Sequence, residues 1–404
     1  MRIEKSDKIK NVRYELRGRI SDMADGLIAQ GHDVIRLNIG NPGAFGFNTT
    51  PAVAESLAAH AADSVPYSHT KGLAHVREAI ANYHRKLGLH NVTEDDIYTG
   101  NGVSELIQIT LQALLNHGDE VLVPTPDYPL WTAATILAGG RAVHYLCDEQ
   151  NGWCPSVEDM RAKITEKTRA IVVINPNNPT GAVYTKEVLL QIAQLAREHN
   201  LVLLADEIYD RLLFDDAVHI PLGSLASDLF CVTFNGISKS HQVCGYRGGW
   251  MVISGDKSGA QDYMAGVNTL ASLRLCSNVT GQYAILAALN DLDTPREHLL
   301  PGGRLYEQRE LVHRELNNIP GLSAVKSAGA LYMFPKIDAA RFNITSDEQF
   351  VLDFLREKHV YLTQGTGFNW AAPDHFRLVF LPPVDQLAQV MQRLRDFLAT
   401  YRQN

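Results

Sequence analysis

The sequence of 404 residues contains no apolar run approaching the length needed to span a bilayer. It has no basic surplus, since 37 Lys and Arg face 45 Asp and Glu, a formal charge of −8. Nucleic acid and anionic membrane surfaces therefore have no electrostatic reason to bind it. Cysteine is scarce: Cys147, Cys154, Cys231, Cys244 and Cys276 are odd in number, and no two are spaced as C-x-x-C. The expectation is thiols kept reduced rather than a disulfide framework. The histidines form no metal-spaced pair, and no metal is expected. The N-terminal MRIEKSDKIK lacks the apolar segment of a secretory signal. No repeat or low-complexity linker interrupts the chain. These absences point to a soluble cytoplasmic protein that binds neither nucleic acid nor membrane.

What is present is an alternation. The runs EVLVP (120–124), AIVVINP (170–176), LVLLADE (201–207) and CVTFNG (231–236) are apolar at consecutive positions, as strands buried on both faces are. Amphipathic stretches lie around them. Val76, Ile80, Tyr83 and Leu87 share one helix face, and residues 186–200 precede the strand LVLLADE in the same rhythm. Strand–helix–strand order predicts an α/β fold with a mostly parallel sheet covered by helices. The first forty residues and the part after about 290 have longer helices (305–319 and 384–401) and fewer strands. The expected division is a large domain over 45–290 and a smaller α/β domain from both chain ends, 1–44 and 291–404.

Open parallel sheets bind ligands at the carboxyl ends of their strands. Four segments fall there: Gly100–Ser104, Asn175–Pro179, Asp206–Tyr209 and Ser238–Lys239. Each has an ordinary reading as well. GNGVSEL is a strand-to-helix turn or a phosphate cradle whose free N–H groups favour an anion. NPNNPTG is a rigid turn or a binding loop. Asp206 is a helix cap or a buried functional carboxylate. Lys239 is solvated or a covalent anchor. GISKS is one residue from a hydrolase nucleophile elbow, but that reading leaves Lys239 and Asp206 unexplained.

Together the segments are far more specific. LNIGNP, PYSHTKG, GNGVSEL, PTPDYPLW, NPNNPTG, DEIYD, SK with GYRGGW, GALYMF and HFRL occur in this order along nearly the whole chain. In this series the sequence resembles the class I, fold-type I pyridoxal-phosphate aminotransferases. FNGxSK, VHYLCDE, TPxxxLLPGGRLYEQR and GFNW bring it closest to the alanine (glutamate–pyruvate) aminotransferases.

The resemblance implies the cofactor pyridoxal 5′-phosphate and a role for each motif residue. Lys239 would bond covalently to the cofactor and then move a proton on the substrate. Asp206 would pair with the pyridine nitrogen and keep it protonated. Tyr209 would hydrogen-bond the phenolic oxygen, and Tyr128 would stack on the ring. Ser238, Arg247 and the Gly102-Val103-Ser104 turn would hold the phosphate, with Tyr67 reaching it from the second subunit of a homodimer. Arg377 would grip the substrate carboxylate beside Asn178, and Gly40 would let the backbone approach the substrate. Apart from the resemblance, Arg17 is an arginine in a chain-end segment, YELRG, with little core-forming pattern, and the expectation is that this segment folds over the pocket and Arg17 receives the side-chain carboxylate of glutamate. Phe45, Phe47, Phe368 and Trp370 are candidate walls of a small pocket.

The implied reaction moves an amino group between L-alanine/pyruvate and 2-oxoglutarate/L-glutamate in two half-reactions, with amino and 2-oxo acids as partners. Aspartate, branched-chain or aromatic preference stays open, as do a C–S lyase and a non-catalytic amino-acid sensor. Leu273 stands where simple spacing would put the arginine of the aspartate branch, which argues against strict aspartate use. Three departures from the family pattern are visible. Gly236 replaces the first serine of S-x-S-K, Thr280 stands for a proline, and SHQVCGY differs from the aromatic–basic pair common in the alanine branch.

Overall fold

The computed structural model describes residues 3–12 and 18–404. Eight strands build the central sheet: β1 (Ile97–Asn101), β2 (Glu120–Thr125), β3 (Arg141–Asp148), β4 (Cys154–Pro155), β5 (Thr168–Ile174), β6 (Val202–Asp206), β7 (Cys231–Gly236) and β8 (Gly248–Ser254). Their spatial order is β1-β8-β7-β6-β5-β2-β3-β4. The run from β7 through β6, β5 and β2 to β3 is parallel. Strand β8 is antiparallel to both neighbours, and the short β4 is antiparallel to β3.

The consecutive apolar residues of these strands serve two cores. Val121, Ala170, Val172, Ile174 and Leu204 point into one cluster with Leu106 and Trp131. Their alternates Leu122, Ile171, Val173, Leu203 and Ala205 point into another with Leu189, Ile192 and Leu195. Successive side chains face opposite sides of a strand, so a strand covered on both faces must be apolar throughout. The helix Lys186–His199 supplies part of that cover. Thr185 caps its start by accepting from Val188 N, and Asn200 ends it in the left-handed conformation, φ 51°.

Both chain ends meet in a separate core. Ile20, Ile35 and Leu37 pack with Leu305, Val312, Phe350, Val379 and Leu394. Ile35–Arg36 pairs in parallel with Val360–Tyr361. Phe376–Val379 is the middle of a three-stranded antiparallel sheet between Tyr332–Met333 and Thr363–Gln364. This small sheet stands across from the carboxyl ends of β2, β5, β6 and β7, so a cleft forms between them. Among the described residues no helix is long and apolar enough to cross a membrane.

Candidate active site

The cleft holds a cavity of about 200 Å³, lined by residues from both chain-end and central segments. Of the residues expected at the site, Gly40, Val103, Ser104, Tyr128, Asn178, Asp206, Tyr209, Ser238, Lys239, Arg247 and Arg377 all line it. Tyr67 does not; its side chain is 79% exposed. Arg17 lies outside the described residues. Among the candidate walls only Phe368 faces the cavity. Phe47 is buried beneath the Arg304 guanidinium, 3.9 Å from its ring centre. Trp370 packs edge-on against Trp153, and its Nε1 donates to Asp374 Oδ1. Phe45 leans on the chain-end core.

Asp206 ends β6, where the strand delivers its carboxylate to the cavity floor. It is buried, and its Oδ2 accepts from Trp131 Nε1 at 2.9 Å. Among the described residues, Oδ1 has only a 3.4 Å contact from Ile208 N. Burial pushes its pKa up to about 6, against the lowering effect of those two bonds. A cation facing Oδ1 would remove most of that penalty. Trp131 is held in turn by an edge-on contact to Phe234 on the neighbouring strand.

Lys239 sits on one turn of helix, Ile237–Ser240, directly after β7. Its Nζ donates to Gly40 O at 2.5 Å and lies 3.6 Å from Cys244 Sγ. Gly40 is crowded from the other side. A Cβ there would collide with the Tyr332 hydroxyl, so any larger residue would force that ring to move. That hydroxyl is 2.8 Å from the Tyr209 hydroxyl, and the two rings meet edge-on. Burial, reinforced by Tyr332, holds the Tyr209 phenol well above its usual range and therefore neutral.

The anion-binding end is built around the N-terminus of the helix Val103–Leu114. Gly102 precedes it at φ 80°, which admits few other residues, and a Cβ there would lie 2.2 Å from Arg247 Nη2. The exposed Arg247 is fastened by donating to Cys244 O and Asn101 O, at 2.8 and 3.2 Å. Ser104 and Ser238 stand beside it. Free helix N–H groups, two hydroxyls and a guanidinium form a cradle for a phosphate. Gly236 cannot become serine in place, because its Cβ would meet Gly248 O at 2.7 Å. This explains the first departure from S-x-S-K.

Arg377 approaches from the small sheet. It is buried between the rings of Tyr332 and Phe368, at 4.4 and 4.5 Å from their centres. Its Nη1 donates to Asn178 Oδ1 at 3.0 Å, and Nη2 donates to Asn38 O. Arg274 is directed elsewhere: it donates to Thr99 O at 2.8 Å and pairs with Glu105 at 3.3 Å.

These residues fit pyridoxal phosphate: a cradle for its phosphate, a buried carboxylate for its ring nitrogen, a neutral phenol for its ring oxygen and a lysine in reach. Trp131 and Tyr332 are the residues that sequence reasoning passed over. Both lie in quoted motifs, PTPDYPLW and GALYMF, but their partners are 75 and 123 residues away.

Comparison with known proteins agrees with this geometry. The profile of the family described as aminotransferase class I and II matches residues 32–394. The chain is 53% identical over 401 residues to the glutamate–pyruvate aminotransferase AlaA of Escherichia coli (strain K12), covering 99% of each. It is 52% identical over 399 residues to an alanine aminotransferase of Mycobacterium bovis, covering 98% of this chain and 93% of the other. A crystal structure of an aminotransferase from Escherichia coli superposes with a TM-score of 0.99 at 52% identity, covering 100% of both chains.

Proposed function

The chain belongs to the class I and II aminotransferases, and from that premise we propose that it exchanges an amino group between L-alanine and 2-oxoglutarate, giving pyruvate and L-glutamate. The observation that carries the proposal is the single cavity that gathers Lys239, Asp206 and Arg377 from three distant segments. The names of the two relatives above support alanine as the substrate.

Pyridoxal phosphate, when bound, supplies an electron-withdrawing ring and a carbonyl carbon that accepts the amino group. The chain's own residues do the rest. Arg377, oriented by Asn178 and flanked by two aromatic rings, binds the substrate carboxylate with a paired, charge-assisted contact. This turns the α-carbon toward Lys239. The Lys239 amine, held at Gly40 O, takes the α-proton and returns one on the other side of the exchange. Asp206 would hold the ring nitrogen of the cofactor and keep it protonated. Tyr209, neutral in its buried setting, would hydrogen-bond the ring oxygen through its hydroxyl. Phe368, Tyr332 and Tyr128 keep water from the reacting atoms.

The same reading makes the protein a homodimer. Tyr67 is 79% exposed and does not line its own cavity, and Leu273 and Leu275 are 77% and 53% exposed. Leu275 is joined to the Tyr67 segment through Thr70 Oγ1. A second copy over this face would cover those residues and bring Tyr67 to a phosphate cradle. Sedimentation at micromolar concentration is expected to give a dimer, and Tyr67→Phe is expected to weaken cofactor retention. Five free cysteines fit a reducing, cytoplasmic compartment.

The test is the absorbance of the purified, cofactor-loaded protein before and after L-alanine alone. Loss of the lysine-bound cofactor band with release of one pyruvate per site is expected. A band that alanine leaves unchanged would overturn the alanine assignment. Alanine has no leaving group on its β-carbon, so elimination is tested separately: ammonia and pyruvate released from an S-substituted cysteine would indicate a C–S lyase instead.

A further inference from the structure

The GFNW turn stands out in the sequence, yet only its phenylalanine enters the cavity. The structure shows what its asparagine does. Asn369 Nδ2 donates to Asp127 Oδ1 at 2.7 Å and reaches Thr132 Oγ1 at 3.2 Å. Asn369 O accepts from Thr125 Oγ1 at 2.6 Å, and Phe368 O accepts from Asp127 N at 2.9 Å. The segment 125–132, from the end of β2 through the loop into the next helix, and this turn, about 240 positions apart, are thus joined by four hydrogen bonds. Each joined segment carries a cavity residue next to the junction: Tyr128 follows Asp127, and Phe368 precedes Asn369.

We propose that the Asp127–Asn369 junction is a positioning device for substrate carboxylate binding, fixing the Phe368 ring over the Arg377 guanidinium. The inference rests on Arg377 being the carboxylate site proposed above. Three observations support it. First, the turn is held at an earlier residue as well: Asp347 accepts from both Thr366 N and Thr366 Oγ1, at 2.7 and 2.8 Å. Two buried aspartates therefore hold one short turn at Thr366 and at Asn369, and its only cavity-facing side chain is the aromatic ring that packs on Arg377. Second, Asp127 is fully buried, among the described residues no cation lies beside it, and burial pushes it up to about 7, with the hydrogen bonds from Asn369 and Thr132 offsetting part of that cost. Third, Asn369 adopts a left-handed φ of 57°, which asparagine tolerates better than most residues while still supplying an amide. Removing the junction would leave Arg377 its Asn178 and Asn38 bonds but free Phe368 to turn away from the guanidinium. The binding geometry would then be lost while the proton-transfer machinery at Lys239 stays intact.

The experiment compares Asn369→Gly, Asp127→Ala and Asp127→Asn in the cofactor-loaded enzyme. Glycine accepts the left-handed backbone, so that variant removes only the side-chain bonds. Asparagine at 127 can still accept from Asn369 and donate to Thr132, which then bonds His144 Nε2, 2.9 Å away. The readouts are steady-state constants for L-alanine and L-glutamate, and the dissociation constant of propionate, which has the carboxylate but no amino group. Propionate binding is followed through the cofactor absorbance without turnover. For Asn369→Gly and Asp127→Ala, KM for both amino acids and Kd for propionate are expected to rise roughly tenfold, with kcat within about threefold and the cofactor spectrum unchanged. Asp127→Asn is expected to restore wild-type values. Unchanged propionate affinity in Asn369→Gly would overturn the inference, and so would Asp127→Asn behaving like Asp127→Ala. A wild-type enzyme that binds propionate but does not turn over alanine would remove the functional reading alone. The junction would then be judged on the propionate constants.

Discussion

Asp206→Asn separates what this carboxylate does to the fold from what it does for the reaction. Burial lifts its pKa from the usual 3.8 to about 6. A difference of about two pH units between unfolded and folded chain corresponds to roughly 3 kcal/mol. The folded pKa lies above the unfolded one, so the cofactor-free folded chain binds this proton more tightly. The contribution of this one group to stability is greatest below about pH 4, falls as the pH rises toward 6, and stays reduced above that. Asparagine carries no charge to bury, and its carbonyl can accept from Trp131. It gives up the long contact from Ile208 N, worth at most about 1 kcal/mol. Cofactor-free Asp206→Asn should therefore be more stable than wild type by roughly 2 kcal/mol at pH 8 and show no advantage at pH 4. For a chain of this length that is a rise of roughly 2 °C in melting temperature. Turnover of the loaded variant should fall at least about 100-fold, because a neutral amide cannot keep the ring nitrogen protonated. Calorimetry of both cofactor-free proteins from pH 4 to 8 reads the first effect, and single-turnover absorbance with L-alanine reads the second. A stability gap that does not change with pH, or a variant less stable at pH 8, would refute the reasoning.

Lys239→Ala should retain cofactor noncovalently but show no lysine-bound band and no turnover, read by absorbance after gel filtration. Arg377→Ala should raise KM for alanine and glutamate roughly 100-fold, with a smaller change in the rate of proton transfer, read by single-turnover kinetics. Gly40→Ala should lose activity because its Cβ would collide with the Tyr332 hydroxyl at 2.3 Å. Tyr332→Phe should recover part of that loss in the double variant, and full additivity of the two changes would exclude the clash as the cause.

Much of the architecture was legible because it is written in local patterns. The strands at 120–125, 168–174, 202–206 and 231–236 lie on runs with several consecutive apolar residues, such as 121–124, 170–174 and 202–205. The helices Arg304–Asn317 and Val384–Thr400 fall within one or two residues of the stretches expected from their periodicity. The polar residues that follow each run also share one cavity, since parallel strands end at the same sheet edge. Phe45, Phe47 and Trp370 show the limit. Nothing local distinguishes an aromatic ring in a core from one on a pocket wall, and of the four candidates only Phe368 reached the wall.

The sequence by itself therefore determined the α/β class, the family and most of the residues that line the cavity. A lysine after a buried strand, a carboxylate at the end of another and an arginine in HFRL are chemical types set in recognisable surroundings. Only the tertiary structure decided which groups support them: Trp131 on Asp206, Tyr332 on Tyr209 and against Gly40, Asp127 on Asn369. Each of these pairs spans 75 residues or more. A hydrogen bond depends on a few tenths of an ångström between atoms that only the packed core brings together, and that distance has no trace in the spacing of residues along the chain.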